Sequence, residues 1–172
     1  MHHFQKKLAY HYSVSHQLSL GAHYMSIDEN PKQGYTLAQG NILLKRWNST
    51  GAQGNAYALL SVGSSVQSQK AAMHFGLQGD WETRRIYTFV KADYYDLDRR
   101  YLNLRARLGL APYIADFEDW HSWVMIQLDH RVSSDSRETT VMPVLRFFKV
   151  NYLLEFGYDF NDTMLVTAMV HL

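Results

Sequence analysis

Between Tyr101 and Leu110 the chain alternates without a fault. The odd positions are Tyr101, Asn103, Arg105, Arg107 and Gly109; the even positions are Leu102, Leu104, Ala106, Leu108 and Leu110. A period of two is the signature of a β-strand, because successive side chains leave a pleated backbone on opposite faces. A helix would set Arg105 and Leu108 on one side. The same period recurs in Trp120–Arg131, where Ser122, Val124, Ile126 and Leu128 oppose Gln127, Asp129 and Arg131. In Ala71–Glu82, Met73, Phe75, Leu77 and Trp81 oppose His74, Gln78, Asp80 and Glu82. The last nine residues set Met164, Val166, Ala168, Val170 and Leu172 against Thr167 and His171. A chain built this way has to form sheets with one apolar and one polar face.

Further strands are expected near residues 6–15, 18–28, 34–47, 55–65, 85–97, 138–149 and 151–160, which makes eleven. Turn-forming groups separate them: Asp28-Glu29-Asn30-Pro31, Asn48-Ser49-Thr50-Gly51, Gln67-Ser68-Gln69, Ser133-Ser134-Asp135-Ser136 and Asn161-Asp162. Ala111–Asp119 is the longest irregular connection. Residues 1–172 read as a single all-β domain of sequential hairpins, without linkers or repeats. Single-chain bacterial barrels carry an even number of strands, so ten or twelve are as acceptable as eleven. Closure would set Met164–Leu172 beside the first strand.

Composition narrows the function. Seventeen Lys and Arg against sixteen Asp and Glu leave a formal charge of +1, which argues against a nucleic-acid partner. The absence of cysteine excludes disulfides, thiolate metal sites and cysteine nucleophiles. Met1-His2-His3 leads into Phe4-Gln5-Lys6-Lys7 with no apolar stretch and no cleavage site, so no signal peptide is read here. The expectation is the mature part of an exported protein, or the barrel or C-terminal part of a longer chain.

Alternation does not say which face is wet. Four features point to lipid on the apolar side. Charge is nearly missing from the middle of every apolar stripe. Small residues are frequent there (Ala22, Ala38, Gly40, Ala56, Ala58, Ala92, Ala106 and Ala168), and these would leave voids in a buried core. Aromatics lie towards the stripe ends, at Tyr24, Trp81, Tyr94, Trp120, Phe147, Tyr152 and Tyr158, as interfacial girdles require. The polar face favours Arg and Asp, with ten Arg to seven Lys and eleven Asp to five Glu; these suit a lumen of paired, hydrogen-bonded charges.

On alternation, girdles and the final strand, about residues 6–172 resemble a bacterial outer-membrane β-barrel. The end of the chain is similar to that family's assembly signal, with Val166, Ala168, Val170 and Leu172 at alternate positions; it departs in closing on Leu172 where the family usually has Phe, Tyr or Trp. The resemblance implies an antiparallel up-and-down transmembrane β-barrel of about 10–12 strands, located in the outer membrane and contacting lipid or detergent. It implies a porin-like channel for small polar solutes. Two alternatives stay open: a non-conducting scaffold closed by its own Arg–Asp network, and the C-terminal barrel part of a larger export porin.

The candidate site is a lumen band of Asp80, Lys91, Asp93, Arg105, Arg107, Asp129 and Arg131. These fall on the polar faces of consecutive strands, and Asp93 is expected nearly opposite Arg105. The band would either neutralise itself or form a charged constriction. His11 and Ser13 share a face, as in lipid hydrolases of such barrels, but no orienting partner can be named, so no enzyme is read here. His11, His23, His74 and His171 also fall on the polar face, and closure would bring His11, His23 and His171 together. Their spacing matches no metal-ligand motif. No phosphate loop or hydrolase elbow occurs, and no cofactor is expected.

Overall fold

The computed structural model describes residues 4–28, 33–114, 116, 118–159 and 163–171. Eleven strands run through them: β1 (Phe4–Ser13), β2 (Leu18–Asp28), β3 (Gln33–Ser49), β4 (Ala52–Ser65), β5 (Ala71–Thr83), β6 (Ile86–Asp96), β7 (Arg100–Leu110), β8 (His121–Ser133), β9 (Arg137–Lys149), β10 (Tyr152–Tyr158) and β11 (Met164–Val170). They form one sheet in chain order, and every neighbouring pair is antiparallel. The meander curls into a half-barrel. This is the all-β, up-and-down architecture that the two-residue period predicts, with eleven strands counted on both routes.

The local causes are plain. β-Branched and aromatic residues alternate with polar ones along each strand, and short polar turns reverse the chain. At β5–β6 the Thr83 hydroxyl accepts from the Arg85 and Ile86 amides at 3.2 and 2.8 Å. Gly51, in the two-residue link between β3 and β4, has a φ of 84°, a backbone that glycine adopts without strain. The link from β7 to β8 is the long one, pinned where the Tyr113 hydroxyl donates to the Trp120 carbonyl at 2.7 Å.

The two faces of the sheet differ in exposure. Its convex face carries Leu108, Val124, Ile126 and Leu128, exposed by 59, 53, 53 and 42%; Leu104 lies exposed beside them and Leu102 is half-buried. The expected girdle residues Tyr24, Trp81, Tyr94, Trp120, Tyr152 and Tyr158 are exposed as well, and Phe147 is half-buried. The small residues of this face are exposed or half-buried. Burial belongs to the concave face. There Met25, Ile27, Tyr35, Leu37, Ala72, Tyr95, Leu97 and Tyr101 form one cluster. Tyr87, Trp123, Met125, Met142 and Val144 form a second. The curl is tight enough for the Tyr35 hydroxyl on β3 to donate to Asp98, between β6 and β7, at 3.0 Å.

The expected closure is not present. Among the described residues β1 pairs only with β2, and β11 only with β10. The reason is directional: in an eleven-stranded antiparallel meander the first and last strands run in the same sense, so the ladder cannot continue from one to the other in its own pattern. The proximity of His171 to His11 and His23 that closure would have brought goes with it.

Candidate functional site

The charged residues of the concave face fall into three linked groups rather than one band. The first spans β4 to β6. Register sets Ser61 opposite His74 and Gly76 opposite Asp93. The His74 ring lies 2.7 Å from Asp93 through Nε2 and 3.0 Å from the Ser61 hydroxyl through Nδ1. The carboxylate accepts from Nε2–H, and Nδ1 shares a hydrogen bond with the Ser61 hydroxyl. Lys91 pairs with the second Asp93 oxygen at 3.1 Å. Tyr95 stacks on the imidazole at 4.5 Å, and Tyr101 stacks on Tyr95 at 4.7 Å. Glycine at 76 makes room: a Cβ there would sit 2.7 Å from the Asp93 carboxylate. Ser, His and Asp are the residue types of a hydrolytic relay, but the Ser61 residue is 1% exposed. A hydroxyl so enclosed serves to fix the ring, not to meet a substrate.

The second group spans β7 to β10. Glu155 accepts from Arg107 at 3.0 and 3.2 Å and from Arg146 at 2.7 and 2.8 Å. The three side chains are 5, 8 and 13% exposed. Arg107 also donates to Gln127 at 2.6 Å; Gln127 donates to Asp129, and Asp129 accepts from Arg105 at 2.6 Å. Arg146 lies over the Tyr87 ring at 4.5 Å and Arg107 over Phe89 at 5.8 Å. One carboxylate between two guanidiniums leaves one positive charge in excess, which the hydrogen bonds and the aromatic faces beside the arginines stabilise.

The third group links β3, β4 and β5. Arg46 donates to Asn55 at 2.7 Å, and Asn55 donates to Asp80 at 2.8 Å. A β-bulge between Leu43 and Lys45 makes this possible. It shifts the alternation by one, so that Arg46, at an even position, joins the face that the odd residues Gln39 and Asn41 hold earlier in β3.

Of the seven residues picked out from sequence, Lys91 and Asp93 belong to the first group, Arg105, Arg107 and Asp129 to the second, and Asp80 to the third. Arg131 stands apart, over the Tyr101 ring at 5.0 Å. Asp93 is not opposite Arg105. Its partner across the sheet is Asn103, and Arg105 faces Lys91 on one side and Asp129 on the other. The three-residue connection 97–99, with Asp96 paired to Arg100, sets that register. The groups also hold residues that were not picked out: Glu155, Arg146, Gln127, Ser61, Arg46 and Asn55. Glu155 had a readable signal, because it is the only charge in β10.

The histidines disperse. His11 lies 3.3 Å from the Asn41 amide, His74 is held as described, and His23 is buried. His11 and Ser13 are exposed on β1, and His171 is exposed past the end of β11. Among the described residues no group of three or more His, Cys, Asp or Glu side chains has a metal-binding arrangement.

Fold and interior together define a class: a curled antiparallel meander, apolar outside and lined with paired charges inside. No family model, no curated protein and no solved structure matches the chain, and its particular role has to be argued from that geometry.

Proposed function

We propose that the chain forms the wall of a bacterial outer-membrane β-barrel that admits small polar solutes in the manner of a porin. The observation that carries this is the inverted surface. Leucine, valine and isoleucine on neighbouring strands stay around half exposed along the convex face, while Arg, Asp, Glu and His occupy the concave one. In water such a face is an aggregation surface; in hydrocarbon it is the favourable one. Lipid is then the partner of the outside, and the charged groups select what passes inside.

A second reading rests on a specific observation. Arg107, Arg146 and Glu155 are nearly dry, as befits a lumen closed by its own side chains. Single-channel recording in a planar bilayer separates the two. A pore gives current steps whose ion selectivity changes in the double variant Arg105→Gln, Arg131→Gln, since both cations lie outside the dry group. Absence of steps in a folded, inserted protein refutes the pore and leaves the scaffold.

A further inference from the structure

One end of the half-barrel holds a cavity that none of the three charged groups fills. It opens where β2 runs out, β3 begins, β6 joins β7 and β8 turns into β9, and its volume is about 60 Å³. A water molecule takes about 30 Å³ of the liquid, so the space suits a group of a few heavy atoms. The wall is lopsided in charge. Arg99 and Arg131 line it together with Gln33, Tyr101, Ser133 and Ser136, and no carboxylate among the described residues does. Asp98, in the same connection as Arg99, is taken by Tyr35 and Lys70. Glu138 is the register neighbour of Arg131 on β9, but it is exposed and no ion pair joins the two.

Arg131 is half-buried, and its guanidinium lies over the Tyr101 ring at 5.0 Å. Tyr101 stacks on Tyr95 and Tyr95 on His74, so the cation caps a column of rings rooted in the buried Asp93 group. Attraction to a ring face uses the charge and none of the five N–H donors. Among the described residues the Arg131 side chain has no ion pair and no hydrogen bond. A positioned fork with its donors unspent matches a planar oxyanion.

We propose that this cavity binds the carboxylate of a small organic acid at the mouth of the barrel. The Arg131 fork takes the two oxygens, and Gln33, Ser133 and Ser136 give the wall beside it its polarity. One guanidinium without an ion pair balances one negative charge, which favours a carboxylate over a more highly charged phosphate. The site deepens the solute-path reading and rests on it for how the acid arrives, but binding is measured without any current.

The test uses protein labelled with ¹⁵N-arginine, folded in detergent micelles and titrated with acetate at constant pH and ionic strength. One Nε–Hε signal should shift saturably, and it should be the signal missing from Arg131→Gln. Broadening of carboxyl-¹³C acetate then reads affinity in the variants. Arg131→Gln should weaken it at least about tenfold, the loss of one charged contact. Arg131→Lys, which keeps the charge but not the fork, should weaken it by less. Arg84→Gln, in the turn at the other end of the sheet, should leave it unchanged. A shift that chloride or ethylene glycol reproduces overturns the site, and so does an unchanged affinity in Arg131→Gln. Tighter binding of inorganic phosphate than of acetate overturns the carboxylate. Should Arg131→Gln fail to fold, Arg131→Lys decides, and an undiminished affinity there refutes the fork. Acetate binding by a protein that is silent in the bilayer keeps the cavity and removes the pore; current without acetate binding does the reverse.

Discussion

Replacing Glu155 with Gln is the sharpest perturbation of the interior. The carboxylate holds two guanidiniums through four contacts between 2.7 and 3.2 Å. Hydrogen bonds to charged groups each contribute about 1.5–3 kcal/mol, so a simple sum would exceed 6 kcal/mol. That sum overstates the loss. The glutamine oxygen still accepts from one arginine, and the Tyr87 face at 4.5 Å still shelters Arg146. What remains is the cost of two buried cations facing each other without their counter-charge, about 3–5 kcal/mol for a broken buried pair. The assay is urea-induced unfolding of the protein reconstituted in lipid vesicles, followed by tryptophan fluorescence and by gel mobility of unheated samples. A companion triple variant, Arg107→Met, Glu155→Met, Arg146→Met, should recover much of the loss, because removing all three charges removes the desolvation along with the attraction. A loss below about 1 kcal/mol for Glu155→Gln, the value for solvated pairs, would refute the dry interior and with it the argument for a plug.

Substituting Ile126 or Leu108 with Arg should destabilise the inserted protein by about 2–4 kcal/mol near the bilayer midplane; a wild-type protein that is monodisperse in detergent-free buffer would overturn the lipid-facing assignment. Gly76→Ala should separate Asp93 from His74, since the new Cβ would lie 2.7 Å from the carboxylate oxygen and 3.2 Å from Nε2; the expected cost is about 1–3 kcal/mol of lost buried hydrogen bonding, checked by thermal melting and by the disappearance of the strongly hydrogen-bonded His74 ¹⁵N signal. Gly63→Ala should be worse, because its Cβ would fall 1.9 Å from the Thr36 carbonyl oxygen and 2.8 Å from the Leu37 Cα, backbone that cannot step aside; the measure is the folded fraction on refolding into detergent, and a wild-type yield would contradict the close strand approach.

Much of this architecture is readable in the chain because period-two alternation is a local property. Tyr101–Leu110 declares its two faces without reference to any other strand. The side proposed for lipid is also partly local, through Ala106 and its like on a face that a soluble core would fill with bulk. Partnerships are not local. Glu155 lies 48 residues from Arg107, and only the curl of the sheet brings β10 to β7. The bulge at Leu43–Lys45 is hidden for a different reason: a strand with one extra residue reads as imperfect alternation, so Arg46 looks outward until the register is seen. The error of placing Asp93 against Arg105 is of the same kind, because a hairpin's register follows from its connection length. His23 could be assigned a face from sequence, but its burial is a fact of three dimensions.

The shared direction of β1 and β11 sets a counting rule for anything that would join the two edges. A hairpin laid between them would meet one edge antiparallel and the other parallel, whichever way it entered. One strand, or three, would meet both edges antiparallel and bring the total to an even number. Joined directly, β1 and β11 would make a parallel seam, with slanted, evenly spaced hydrogen bonds and slightly less stability per residue. The ten seams present are all antiparallel, so an eleventh made that way would be the odd one in the wall, the place where a closed form would unzip first.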